Sequence, residues 1–288
     1  RELGRRLQAV AGGQALVARI DGPHLLLAQV GLGRARAEAA ASECVGRLSA
    51  TLRIADVAVQ PALVCGVSLA PEHGSDPAEL LRRAESALVA AGAATQCVAV
   101  FDPASDEAQR RRLQIGAELP EAIESGRLSI VYQPKVSFAS RRVQSAEALA
   151  RWTHGTLGSI SPLEFVTVAE QTGASRLLSR WVLRSALRQV AAWDAEGLSM
   201  EIAVNLSATD IVDPTLPDYV IGELRTHGVP GLRLVLEITE SAFMRDAEVA
   251  IRHMELLRVA GVRFSIDDFG TGFSSLSQLR RLPVDEIK

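Results

Sequence analysis

Phe264-Ser-Ile-Asp-Asp-Phe-Gly-Thr-Gly-Phe273 is an apolar run that ends in two adjacent carboxylates, with two glycines close behind. Neighbouring side chains of a strand point to opposite faces. Asp267 and Asp268 can therefore serve one site only if the strand stops there and the backbone turns, and Gly270 and Gly272 permit that turn. Two acids at such a strand end are a place to hold a cation. The ordinary alternative is a surface turn with solvated acids, and the rest of the chain must decide between them.

Outward from this stretch, apolar strands are predicted at Ser129–Phe138, Val143–Arg151, Glu201–Leu206, Arg233–Ile238, Arg263–Asp267 and Val284–Lys288. Helices are predicted between them at Ser161–Gln171, Ser175–Ala195, Leu216–Thr226, Ala247–Ala260 and Ser274–Leu279. Strand–helix alternation argues for a parallel sheet or a barrel, whose site forms at the C-terminal strand ends. Those ends share one chemistry. The second strand carries Glu147 and Arg151, the next Asn205, the next Glu237 with Glu240 just beyond, then Asp267-Asp268, and the last ends in Lys288.

Glu, Asn and Asp are hard oxygen donors, suited to Mg²⁺ or Mn²⁺ rather than zinc. Glu147, Glu237, Asp267 and Asp268 gathered together would repel one another strongly, and about two divalent cations would neutralise them. A two-metal centre activates water and clamps a phosphodiester. Arg151 can grip a phosphate oxygen with its planar fork, and Lys288 can hold the attacking water or offset charge on the phosphate. Singly, each residue has an ordinary reading: a half-exposed strand Glu, a turn-capping Asn, a solvated Lys. Their joint occurrence carries the argument.

The first hundred residues read differently. Val17–Ile20 and Leu25–Val30 flank a turn at Asp21-Gly22-Pro23-His24; a helix is predicted at Ala35–Leu52, a strand at Leu63–Leu69, a helix at Pro77–Ala91 and a strand at Val98–Phe101. Asp102-Pro-Ala-Ser-Asp106 marks the boundary, and a charged helix from Glu107 to about Ser125 follows. Two domains are expected, 1–103 and 104–288.

The chain has 288 residues, and 31 Lys+Arg against 34 Asp+Glu leave a net charge of −3. That balance lacks the basic excess of a DNA-, RNA- or anionic-membrane binder. No apolar stretch approaches the roughly 20 residues that span a bilayer, so no membrane contact is expected from this segment. Cys44, Cys65 and Cys97 are widely spaced, and His24, His73, His154, His227 and His253 form no HxxxH pair. Neither a zinc site nor a disulfide framework is indicated, and a reducing cytoplasm fits.

Six motifs in order resemble those of EAL-domain phosphodiesterases, bacterial enzymes that cleave cyclic di-GMP. They are Tyr132-Gln-Pro134, Glu147-Ala-Leu149 with Arg151-Trp152, Val204-Asn-Leu-Ser207, Leu236-Glu-Ile-Thr-Glu-Ser241, Asp267-Asp-Phe-Gly-Thr-Gly272 and Leu282-Pro-Val-Asp-Glu-Ile-Lys288. The resemblance covers residues 107–288. It implies a TIM-type (β/α) barrel and Mg²⁺- or Mn²⁺-dependent hydrolysis of cyclic di-GMP to linear pGpG. It assigns Glu147, Asn205, Glu237, Asp267 and Asp268 as metal ligands and Lys288 as the catalytic lysine. Gln133, Leu149 and Arg151 become substrate contacts, and Glu240 the anchor of the loop after Asp267. Barrels of this family commonly pair, so a homodimer through this domain is compatible with it. A receptor that binds the dinucleotide without cutting it is the alternative, and such receptors typically lose metal ligands.

Leu16-Val-Ala-Arg-Ile20, Val67-Ser-Leu-Ala70 and Leu80 to Leu88 resemble the C-terminal half of a GGDEF (diguanylate cyclase) domain, an α+β fold. The cyclase motif would fall on Asp21-Gly22-Pro23-His24-Leu25, where Pro23 and His24 replace the metal-binding acid pair. The inhibitory RxxD site would fall on Gly12 and Ala15. Neither cyclase activity nor product inhibition is expected. In both families' terms the chain is partial: it begins midway through the cyclase-like fold and ends before the barrel closes. It reads as a piece of a longer protein, which other segments could attach to a membrane.

Overall fold

A computed structural model of the chain describes residues 2–12, 15–54, 57–93, 97–239, 246–267 and 282–288. The chain forms two compact units, Arg1–Arg110 and Arg111–Lys288.

In the first unit, helix α1 (Glu2–Ala11) precedes the antiparallel hairpin β1 (Leu16–Asp21) and β2 (His24–Ala28), which turns at Gly22-Pro23. Leu3, Leu7 and Val10 recur at helical spacing and pack with Cys44, Leu48, Val17, Leu27 and Leu63. Helix α2 (Arg34–Leu48) stops earlier than predicted, because Leu52 opens a second hairpin, β3 (Leu52–Ile54) with β4 (Val57–Val59). Leu52, Val57 and Val59 favour extended backbone, and Leu52 is buried there.

Strands β5 (Cys65–Val67) and β6 (Val98–Val100) pair in parallel, with helix α3 (Pro77–Ala93) as the crossover. Helix α3 starts where Asp76 accepts the Glu79 N–H at 2.9 Å. A Cβ on Gly66 would stand 2.1 Å from the Ala84 carbonyl and 2.3 Å from the Leu88 amide, so the helix lies directly on the bare backbone of β5.

Asp102 to Asp106 opens a helix four residues before the expected Glu107 start. Helix α4 (Pro103–Glu124) begins at Pro103, whose missing N–H costs nothing in a first turn, and Asp102 caps it by accepting from Ala104 and Ser105. The division between the two units falls within α4.

In the second unit, β7 (Leu128–Val136), β8 (Val143–His154), β9 (Gly158–Ile160), β10 (Glu201–Leu206), β11 (Leu234–Thr239), β12 (Arg263–Asp267) and β13 (Glu286–Ile287) form one sheet among the described residues. Its order is β13-β12-β11-β10-β8-β7, with β9 beside β8. Along β8-β10-β11-β12-β13 all pairs are parallel, while β9 pairs antiparallel with β8. β7 and β8 are antiparallel, because the short link between them is too short for a crossover.

Helices α5 (Pro162–Thr172), α6 (Ser175–Ala195), α7 (Ala208–Ile211), α8 (Leu216–His227) and α9 (Ala247–Val259) fill the connections. One face of every central strand packs into a single core: Ala146, Ala148 and Trp152 of β8, Ile202, Val204 and Leu206 of β10, Leu234, Leu236 and Ile238 of β11, and Phe264 of β12. These alternate with a second set: Glu147, Leu149 and Arg151; Ala203 and Asn205; Val235, Glu237 and Thr239; Ser265 and Asp267. Glu147, Arg151, Asn205, Glu237 and Asp267 therefore share the face turned away from the helices.

The sheet is curled. Lys135 on β7 reaches Glu237 on β11 at 2.5 Å, although three strand intervals separate them, about 14 Å on a flat sheet. Lys288, just after β13, lies 3.6 Å from Glu147 on β8, four intervals away. Such contacts need the curvature of a barrel wall.

Candidate active site

The register sets the polar residues at successive levels of the curled face. Glu147 pairs with Gln133 on one side and Ala203 on the other; Asn205 pairs with Glu237, Glu237 with Ser265, and Thr239 with Asp267. Asn205 Nδ2 donates to Glu147 Oε1 at 2.8 Å, which leaves Asn205 Oδ1 as the atom to offer a cation.

β10 ends where it does because Ser207 caps α7. Its hydroxyl accepts the Asp210 N–H at 3.2 Å, and the buried Asp210 carboxylate accepts from the hydroxyls of Ser207 at 2.6 Å and Ser179 at 2.5 Å. This lock lies two residues from Asn205.

Glu237 is the centre of the arrangement, with its residue only 1% exposed. Its Oε1 accepts from Lys135 Nζ at 2.5 Å and from Lys288 Nζ. Lys288 also approaches Glu147 Oε2 at 3.6 Å, and its backbone N–H donates to Ile266 O at 2.8 Å. Burial alone would lower the Lys288 pKa. The hydrogen bond to Glu237, with the Glu147 charge added, outweighs burial and raises it, so the ammonium stays charged.

Glu237 Oε2 is buried and has no hydrogen-bond partner among the described residues, and neither has Ser265 Oγ beside it. A buried carboxylate oxygen left without a donor is costly unless a cation meets it. That orphan oxygen belongs to the residue that pairs with Asn205 across the β10–β11 ladder, and it fits a hard divalent ion.

Gln133 is exposed opposite Glu147, and Leu149 is half-buried on the same face. The Arg151 guanidinium donates to the Ala150 carbonyl at 2.9 Å. Asp267 stands at the end of β12, on the site face. Asp268 and Glu240 lie outside the described residues, as do Gly270, Gly272 and the predicted Ser274–Leu279 helix. Among the described residues no three His, Cys, Asp or Glu side chains form a metal cluster; the Glu147 and Glu237 carboxylates are bridged by an ammonium instead.

Lys135 is a further residue of this face. Its signal was the spacing Gln133-x-Lys135, which puts both on the face that carries Glu147. In the first unit, His24 Nδ1 lies 2.5 Å from Asp21 Oδ1, both exposed at the β1–β2 turn.

Residues 117–288 match the EAL domain family. The chain belongs to that family. Residues 1–96 match a second family, diguanylate cyclase, GGDEF domain. Cyclic di-GMP phosphodiesterase PdeR of Escherichia coli strain K12 is 36% identical over 279 residues, covering 95% of this chain and 41% of that protein. Bifunctional diguanylate cyclase/cyclic di-GMP phosphodiesterase MucR of Pseudomonas aeruginosa is 36% identical over 291 residues, covering 100% of this chain and 42% of that protein. The chain thus spans less than half the length of these curated relatives.

Among solved structures, the c-di-GMP complex of the PaMucR phosphodiesterase superposes with a TM-score of 0.57 at 42% identity, covering 60% of this chain and 71% of that one. The second unit therefore has the TIM-type barrel fold of EAL domains, with the sheet open between β7 and β13 among the described residues.

Proposed function

We propose that the protein containing this chain hydrolyses cyclic di-GMP to linear pGpG, and that residues 104–288 carry the reaction. The supporting observation is the orphaned, buried Oε2 of Glu237, whose ladder partner Asn205 donates to Glu147, with Lys288 between the two carboxylates. Glu147, Asn205, Glu237, Asp267 and Asp268 would hold two Mg²⁺ or Mn²⁺ ions. Bound there, the ions supply charge stabilisation on the phosphate and a lowered pKa for water.

The reaction adds one water across one phosphodiester P–O bond, its hydroxyl to phosphorus and a proton to the leaving oxygen. The chain's own share is placement. Lys288 is charged and half-buried, so it can donate to the incoming water or to a phosphate oxygen without losing its proton. Arg151 exchanges its single carbonyl bond for a bidentate grip on phosphate, and Gln133 and Leu149 line the approach. Glu240 anchors the loop that carries Asp268.

Residues 1–103 act as a cyclase-like platform without cyclase activity, since Pro23 has no N–H to offer and His24 is occupied by Asp21. No helix among the described residues is long and apolar enough to cross a membrane, and a cytoplasmic site of action fits a nucleotide second messenger.

The test is incubation of the full-length protein with cyclic di-GMP and Mg²⁺, followed by chromatography. Appearance of pGpG is expected. Well-folded protein that binds the nucleotide and releases none would make it a receptor instead.

A further inference from the structure

Lys135 takes no part in the proposed chemistry, yet it contacts the carboxylate on which that chemistry depends. Its Nζ lies 2.5 Å from Glu237 Oε1. The Glu237 side chain has no exposed surface, whereas the Lys135 side chain is 27% exposed on the edge of β7. Lys135 and Lys288 together match the charges of Glu147 and Glu237 one for one. A divalent ion that uses Glu237 enters beside two ammonium groups already paired with Glu237 and Glu147, and it must displace or endure one of them.

Lys288 is held by its backbone bond to Ile266 and by two carboxylates. Lys135 has one carboxylate partner where Lys288 has two, so it is the group that yields.

We propose that Lys135 is a resident cation that competes with the divalent metal for Glu237 and so sets the metal concentration at which the site fills. The inference rests on the metal-site reading above. It makes Lys135 a positioning residue: it keeps the buried Glu237 carboxylate paired until metal arrives and then gives it up.

Isothermal titration of the full-length protein with Mn²⁺, without nucleotide, tests this in the wild type, Lys135→Met and Lys135→Arg. The Met variant loses the competing charge, and its dissociation constant for Mn²⁺ is expected to fall about tenfold, the equivalent of about 1.4 kcal/mol. The Arg variant keeps the charge and should stay near the wild type. Circular dichroism establishes that each variant is folded, and Lys135→Gln replaces Met if that variant is not.

An unchanged Mn²⁺ affinity in the Met or Gln variant overturns the proposal, and so does a weaker one. If the wild type binds no Mn²⁺ at all, the metal-site reading fails first and this inference falls with it. A wild type that binds metal while the variants bind no tighter removes the role of Lys135 alone.

Discussion

Replacing Glu237 by glutamine keeps the shape of the side chain and removes one negative charge where two ammonium groups converge. A hydrogen bond to a charged partner contributes about 1.5–3 kcal/mol. Glutamine still accepts from both lysines, and these side chains are 27% and 24% exposed, so each regains part of its hydration. The net loss should be about 2 kcal/mol, or a fall in Tm of about 4–8 °C for a unit of this size.

The functional effect should be larger, because the amide replaces a proposed metal ligand. Turnover of cyclic di-GMP in saturating Mg²⁺ is expected to drop by more than about 100-fold. Calorimetry and chromatographic measurement of pGpG read the two effects separately. Turnover within about threefold of the wild type would refute the assignment of Glu237. A rise in Tm would show that burying the carboxylate costs more than its two ammonium partners return, reversing the electrostatic argument.

Ser207→Ala removes a helix cap and one partner of the buried Asp210; a loss of about 1–2 kcal/mol is expected in chemical denaturation, with lower kcat as the Asn205 end of β10 loosens. Arg151→Ala should raise KM several-fold with a smaller change in kcat, and a pure kcat effect would remove its role in substrate capture. The Arg111 hydrogen bond holds the Glu164 carboxyl below its usual range, so this pair adds stability above the unfolded carboxyl pKa and loses it as pH falls through the folded one. Glu164→Gln should therefore cost about 0.5–1 kcal/mol near pH 7 and nothing measurable well below about pH 4, as unfolding curves at both pH values would register.

The sequence disclosed most where one local signal decides. β10, β12 and α6 have the boundaries that apolar periodicity predicts. The hairpin at Gly22-Pro23 was equally legible.

Features set by long-range packing were not legible. The antiparallel β7–β8 pair reads like any two strands of an alternating series, and only the missing helix between them gives it away. α1 was passed over although Leu3, Leu7 and Val10 have helical spacing. α2 is shorter than its apolar pattern suggests, because nothing local marks Leu52 as the start of a hairpin. Gly66 carries no motif, and its reason lies in a helix that crosses it.

For the site, residue types and strand ends placed Glu147, Asn205, Glu237, Asp267 and Lys288 on one curled face. The Lys135 contact depends on curvature across three strands, which no linear pattern encodes.

The most direct test of the account is a crystal structure of the full-length protein grown with Mn²⁺ and cyclic di-GMP, with anomalous scattering to locate the metal. Anomalous peaks are expected about 2.0–2.3 Å from oxygens of Glu147, Asn205, Glu237, Asp267 and Asp268, with the nucleotide phosphate beside Lys288. Peaks elsewhere, or a bound nucleotide with Lys135 still seated on Glu237 and no metal, would contradict it.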